Sequence, residues 1–133
     1  MSNIAQRPLR GLRVLVAEDE LLLSEAICEI LCGLECTVIG PFDNLDDTLR
    51  AIRTNGIDAA LLDIQLGKEN VYPAAKELAL QRIPFILLSG YTSLSGYPAL
   101  FHNAALLTKP FDVRQLEYMM RSIFSPREVP HQP

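Results

Sequence analysis

Glu18, Asp19, Asp63, Ser89 and Lys109 each stand at or just past the end of a short apolar run, and their types and spacing could do chemistry together. Three carboxylates brought to one place repel: two like charges about 4 Å apart cost about 4 kcal/mol at an effective dielectric of about 20. Something cationic must sit between them. Hard oxygen donors without a histidine favour Mg²⁺, which keeps several waters and commonly joins one or two protein carboxylates to a phosphate oxygen. Lys109 supplies a second, fixed positive charge. A carboxylate beside a divalent cation, a lysine and a hydroxyl is an arrangement for phosphoryl transfer, with an aspartyl phosphate as its covalent outcome. The cations, hydroxyl and backbone N–H groups would neutralise the oxygens of the group in transit.

The elements that must position these residues alternate regularly. Leu12–Ala17 is an apolar run of strand length that stops at Glu18-Asp19-Glu20. Apolar residues then recur at Leu22, Leu23, Ala26, Ile27, Ile30, Leu31 and Leu34, which is helical spacing, with an end near Gly33. Thr37–Gly40 is largely β-branched and bounded by Pro41, so it reads as a second strand. Asp43 or Asn44 can cap a second helix carrying Leu45, Leu49 and Ile52, with Asn55-Gly56 as its stop. Ala59–Asp63 repeats the first pattern and must be covered on both faces. A loop with Gly67 leads to a helix over Val71–Gln81, with Pro73 in its first turn, and Ile83–Ser89 is a fourth strand. Gly90–Asn103 carries two glycines and Pro98, so any helix there is short or irregular. Ala104–Thr108 is the fifth strand, ending at Lys109-Pro110. Asp112 caps a last helix through Phe124, with Val113, Leu116, Met119, Met120 and Ile123 inward.

Strands apolar on both faces, alternating with helices, specify a parallel sheet covered on both sides: a doubly wound α/β fold with the flavodoxin-like strand order 2-1-3-4-5. Ligands in such sheets bind beyond the carboxyl ends of the strands, where the acids, Ser89 and Lys109 stand. The chain's 133 residues allow one domain, and 49% hydrophobic content is enough for one core. A formal charge of −4 excludes the basic footprint of nucleic-acid binding. The longest apolar runs fall far short of the roughly 20 residues a bilayer demands, and no signal-peptide stretch opens the chain, so no membrane role and a cytoplasmic location are expected.

The order of Val14–Glu20, Leu61-Leu62-Asp63, Leu87–Gly90 and Thr108–Phe111 resembles the receiver domain of two-component response regulators over about residues 10–125. The resemblance implies an N-terminal extension at 1–10, a receiver domain at 11–125 and a tail at 126–133. It implies that Asp63 accepts a phosphoryl group from a histidine kinase or phosphotransfer protein, and that Glu18, Asp19, Asp63 and the Gln65 carbonyl hold Mg²⁺. Ser89 would swing toward the phosphoryl oxygen, Lys109 would pair with it, and Lys109-Pro110 would be a cis peptide. The protein would then be a phosphoacceptor with self-phosphorylation and self-dephosphorylation chemistry rather than a conventional enzyme. It would stand alone and signal through protein contacts, its first helix docking the partner through Leu21, Leu22 and Leu23. Tyr118 and Arg121 on the last helix offer a contact for a homodimer.

Two departures from that family matter. Leu106 stands where most receivers carry a switch aromatic, three residues before the lysine. Ser89-Gly90-Tyr91 partly matches a subgroup with a Phe-Ala-Thr-Gly-x-Tyr type signature, which points to Tyr91 as the residue covering the site. Rival readings are a pseudo-receiver with an idle site and a phosphatase of the haloacid dehalogenase type. The latter wants a D-x-D motif that Asp19 lacks. Cys28, Cys32 and Cys36 have a metal-like spacing, but Cys28 and Cys32 fall in the apolar helical pattern, where thiols act as small buried hydrophobes. An odd count disfavours a disulfide framework. No catalytic role is assigned to His102 or His131.

Overall fold

Side chains alternate across a strand, and the two core clusters of this protein follow that alternation. Leu15 and Ala17 of strand β1 (Arg13–Ala17), Ala60 and Leu62 of β3 (Ala59–Asp63), and Leu87 of β6 (Phe85–Ser89) share one face of a parallel sheet. Val14, Val16, Ala59, Leu61, Ile86 and Leu88 share the other. The structure, a computed structural model, describes residues 9–54, 56–90 and 97–124. Its main sheet has five strands in the order β2-β1-β3-β6-β7, with β2 at Thr37–Phe42 and β7 at Ala105–Thr108. That is the expected 2-1-3-4-5 order.

Helices α2 (Leu45–Thr54), α3 (Tyr72–Leu80) and the single turn α4 (Ala99–His102) cover the first face through Ala51, Ile52, Ala74, Leu78 and Phe101. Helices α1 (Leu21–Gly33) and α5 (Val113–Ile123) cover the second through Ile27, Leu31, Leu116 and Met120. Each fully buried Leu or Ile contributes about 1.5–3 kcal/mol relative to exposure. Leu9, assigned by sequence to the extension, is 2% exposed and belongs to this second core. Asn44 caps α2 by accepting the Asp47 N–H at 2.8 Å. Asp112 and Gln115 form a reciprocal capping box on α5, each backbone N–H bonding the other's side chain at 2.8 Å. Among the described residues no helix is long and apolar enough to cross a membrane.

Strand β2 does not stop at Pro41 but runs to Phe42. It is an edge strand, where a residue without an N–H is tolerated, and its ladder with β1 shifts register between Leu15 and Ala17. The loop with Gly67 is a hairpin, β4 (Gln65–Leu66) pairing antiparallel with β5 (Glu69–Asn70). On α1, Leu22 and Ala26 face solvent, because a run of three leucines leaves the inward one undetermined; Leu23 is the half-buried member. On α5, Val113 and Ile123 are exposed, since they lie at its two ends beyond the sheet's cover.

The cysteine at the buried position is Cys36, not Cys28 or Cys32. Cys36 follows α1 and turns back onto the core, its thiol donating to the Leu9 carbonyl at 3.4 Å. Burial pushes the Cys36 thiol up to about 11. Cys28 is half-buried, Cys32 is exposed, and all three are free.

Gly40 is the tightest backbone position. Its φ is +112°, and a Cβ there would lie 2.9 Å from the Val16 carbonyl oxygen and 3.0 Å from the Phe42 nitrogen. Gly40→Ala is therefore expected to lower stability by about 1–3 kcal/mol in urea unfolding; an unchanged midpoint would contradict the assigned geometry. Under native conditions iodoacetamide should label Cys32 first and Cys36 only after unfolding, as read by peptide mass mapping.

Candidate functional site

Parallel strands bring their carboxyl ends to one edge, and the predicted residues meet there. Glu18 and Asp19 follow β1, and Asp63 ends β3, the strand hydrogen-bonded beside it. Ser89 ends β6 and Lys109 follows β7, the next two strands across. One carboxylate oxygen each from Glu18, Asp19 and Asp63 lie within 4.8 Å of one another. The Lys109 ammonium answers the repulsion this creates, with Nζ 3.0 Å from Asp63 Oδ2 and 3.1 Å from Glu18 Oε1.

The acids differ in environment. Asp63 is 8% exposed and Glu18 2% exposed, whereas Asp19 faces solvent. Glu18 Oε2 accepts the Glu20 N–H at 3.0 Å. Glu18 Oε1 is buried and has no aligned hydrogen bond; its approach to Lys109 is an ion-pair contact only. Burial pushes the Glu18 carboxyl up to about 7, reinforced by Asp63 and opposed by the Glu20 N–H and Lys109. Burial also works to lower the Lys109 ammonium, but its contacts with Asp63 and Glu18 outweigh it and hold the pKa above the usual lysine value.

Ser89 is buried at the strand end, opposite Thr108, and its carbonyl accepts the Lys109 N–H at 2.7 Å. Gln65 lies in the hairpin two residues past Asp63, its side chain accepting from Asn70 at 3.3 Å. The Lys109–Pro110 peptide is cis, as the resemblance implied. Leu106 is half-buried against the core that holds Phe101. Tyr91 lies outside the described residues.

Sequence reasoning took Asp43 only as a candidate helix cap and did not single out Asp47. Both line a cavity of about 280 Å³ that opens beside Glu18 and Asp19, between α1 and the loop from β2 to α2. The signal was present only as two acids around the Asn44 cap, which reads as ordinary helix-start chemistry. Leu21 and Leu22, 69% and 77% exposed, stand at the start of α1, and Leu21 lines the same cavity.

An all-oxygen donor set, including a buried Glu18 oxygen that meets the Lys109 ammonium without an aligned hydrogen bond, fits a hard divalent cation such as Mg²⁺, with Glu18, Asp19 and Asp63 as the residues to hold it. With a cation and Lys109 present, the site can neutralise an incoming phosphoryl group beside a carboxylate nucleophile.

A family model described as "Response regulator receiver domain" matches residues 14–121. The uncharacterized transcriptional regulatory protein YbdJ of Bacillus subtilis is 30% identical over 119 residues, covering 86% of this chain and 52% of that protein. The chain spans about half the length of the curated relatives it matches. Among solved structures, the response regulator PhyR from Brucella abortus superposes with a TM-score of 0.78 at 24% identity, covering 91% of this chain and 50% of that one. The receiver domain of sensor histidine kinase PA1611 from Pseudomonas aeruginosa, solved with magnesium coordinated in its active site cleft, gives 0.73 at 23% identity, covering 84% and 96%. At these identities the two structures attest the fold.

The raised Glu18 carboxyl has a stability consequence. The folded protein keeps that proton from the ordinary value of 4.5 up to about 7, where the unfolded chain has lost it. The folded state therefore binds more protons in this window, and stability falls as pH rises through it. Urea unfolding in a chelator should show a lower midpoint at about pH 7.5 than at about pH 5, with the Glu18 contribution to that difference absent in Glu18→Gln. Mg²⁺ at about 100 times its Kd should restore about 2.7 kcal/mol at the higher pH.

Proposed function

The chain belongs to the response regulator receiver domain family, and on that premise we propose that it is a cytoplasmic phosphoacceptor in which Asp63 takes a phosphoryl group from a phosphohistidine. An Asp63 carboxylate oxygen forms the new O–P bond as the N–P bond of the donor imidazole breaks, and the imidazole leaves with the N–P electron pair. The observation that carries this reading is the Lys109 ammonium 3.0 Å from Asp63 Oδ2, beside two further carboxylates on the same sheet edge. Bound Mg²⁺, held by Glu18, Asp19, Asp63 and the Gln65 carbonyl, would supply charge neutralisation for the phosphoryl oxygens. Lys109 orients the acceptor and offsets the charge that arrives. Ser89 has the strand-end position from which its hydroxyl can meet a phosphoryl oxygen.

The donor is a histidine kinase or a histidine phosphotransfer protein, docking on α1 through Leu21 and Leu22 beside the pocket; both are exposed. Contact between two copies would run along α5. Tyr118 there is 60% exposed, while Arg121 is engaged by Glu117 at 2.9 Å within the helix.

Incubation with Mg²⁺ and acetyl phosphate tests the reading by intact mass. Wild type should gain one acid-stable, hydroxylamine-labile phosphoryl group, and Asp63→Asn should gain none. Lys109→Ala should be labelled at least about 100-fold more slowly, as when one charge-stabilising donor is removed from a transition state. Absence of labelling in wild type would mean an idle site, and turnover of many phosphomonoesters would mean a phosphatase.

A further inference from the structure

Asp19 differs from its two neighbours in the pocket. It faces solvent, and the Lys109 contacts go to Glu18 and Asp63. An exposed carboxylate on its own samples several rotamers, so something else must hold it toward a shared cation. Among the described residues that partner is the Gly67 backbone N–H, which donates to Asp19 Oδ2 at 2.7 Å.

The donor is mounted rigidly. Gly67 and Lys68 form a two-residue turn between Leu66 and Glu69, with Gly67 at φ +61°. A positive φ at the first turn position suits a tight hairpin, and the N–H there is not used by the ladder. Leu66 on one leg is 2% exposed, and Val71 just past the other leg is fully buried. The Val71 N–H returns to the Ile64 carbonyl at 2.8 Å, closing the base of the hairpin. The turn therefore projects from two buried anchors to the carboxylate.

The geometry points to Gly67 as a positioning residue that orients Asp19 for cation binding, an inference that rests on the phosphoacceptor reading of the pocket. One hydrogen bond leaves most of the lone-pair sites of a carboxylate open to a cation. Partners of this kind, which orient a ligating carboxylate, typically govern metal affinity by about 10–100-fold. Glycine is used here for its backbone and not for lack of room: a Cβ at Gly67 would meet nothing within 4 Å. Replacements should therefore rank by their tolerance of positive φ, with Asn best, Ala intermediate and the β-branched Val worst.

Mg²⁺ affinity of the full chain, measured by calorimetry for wild type, Gly67→Asn, Gly67→Ala and Gly67→Val, tests this, with urea midpoints recorded alongside. Gly67→Asn should stay within about threefold of wild type and Gly67→Val should weaken by about tenfold or more, Gly67→Ala falling between. In the metal-free proteins, hydrogen exchange at the residue-67 amide should be slow in wild type and Gly67→Asn and fast in Gly67→Val. Equal Mg²⁺ affinity across the series, or affinity that follows the urea midpoints instead of amide protection, overturns the assignment. Wild type that binds no Mg²⁺ would overturn the phosphoacceptor reading and this inference with it, a result distinct from a flat series.

Discussion

Gathering three carboxylates on one sheet edge is electrostatically costly, and the Lys109 ammonium is the interaction that makes the gathering tolerable. Its place in the fold explains why a lysine is needed. Lys109 follows β7, which is separated from β3 by β6, and strands lie about 4.8 Å apart. The charge must therefore cross roughly two strand spacings to reach 3.0 Å from Asp63 and 3.1 Å from Glu18. A long flexible stem spans that gap, and its apolar length can lie against the strand ends while the head meets the acids.

The same lysine divides the acids by role. Glu18 and Asp63 share it in a buried environment, where an uncompensated charge would cost several kcal/mol. Asp19 is left on the solvent side, beside the cavity that reaches Asp43 and Asp47. The pocket thus has a closed floor, in which one ammonium faces two carboxylates, and an open acidic rim with Leu21 at its edge. The rim presents apolar surface and negative charge together, a combination that would favour a basic flank on any protein docking there.

Much of this was legible in the sequence because strands buried on both faces have no polar residue until they end. Ala59–Asp63 shows it: four apolar residues, then the carboxylate, all buried. The strand order followed from handed crossovers, and Asn44, Pro73 and Asp112 marked helix starts by local chemistry. What was illegible lacked periodicity or depended on tertiary cover. The hairpin at 65–70 has legs of two residues each, too short for alternation to register. Leu21, Leu22 and Leu23 are equivalent as letters, and only the sheet decides that Leu23 turns inward. Cys28 and Cys32 lie in an apolar helical pattern, yet the thiol that is buried belongs to Cys36, past the helix end, because the chain there folds back over Leu9. The depth of Glu18 relative to Asp19 could not be read from two adjacent acids.

Strand β2 carries a further consequence. An open sheet exposes a row of unpaired backbone groups along each outer strand, which invites another chain to add on and propagate into aggregates. On this side the row is interrupted by Pro41, which has no N–H to offer, and by the register shift beside it. The opposite border, β7, is only four residues long. Both margins are thereby poor templates for intermolecular strand addition, which guards the solubility of a chain that concentrates its apolar residues in the strands between them.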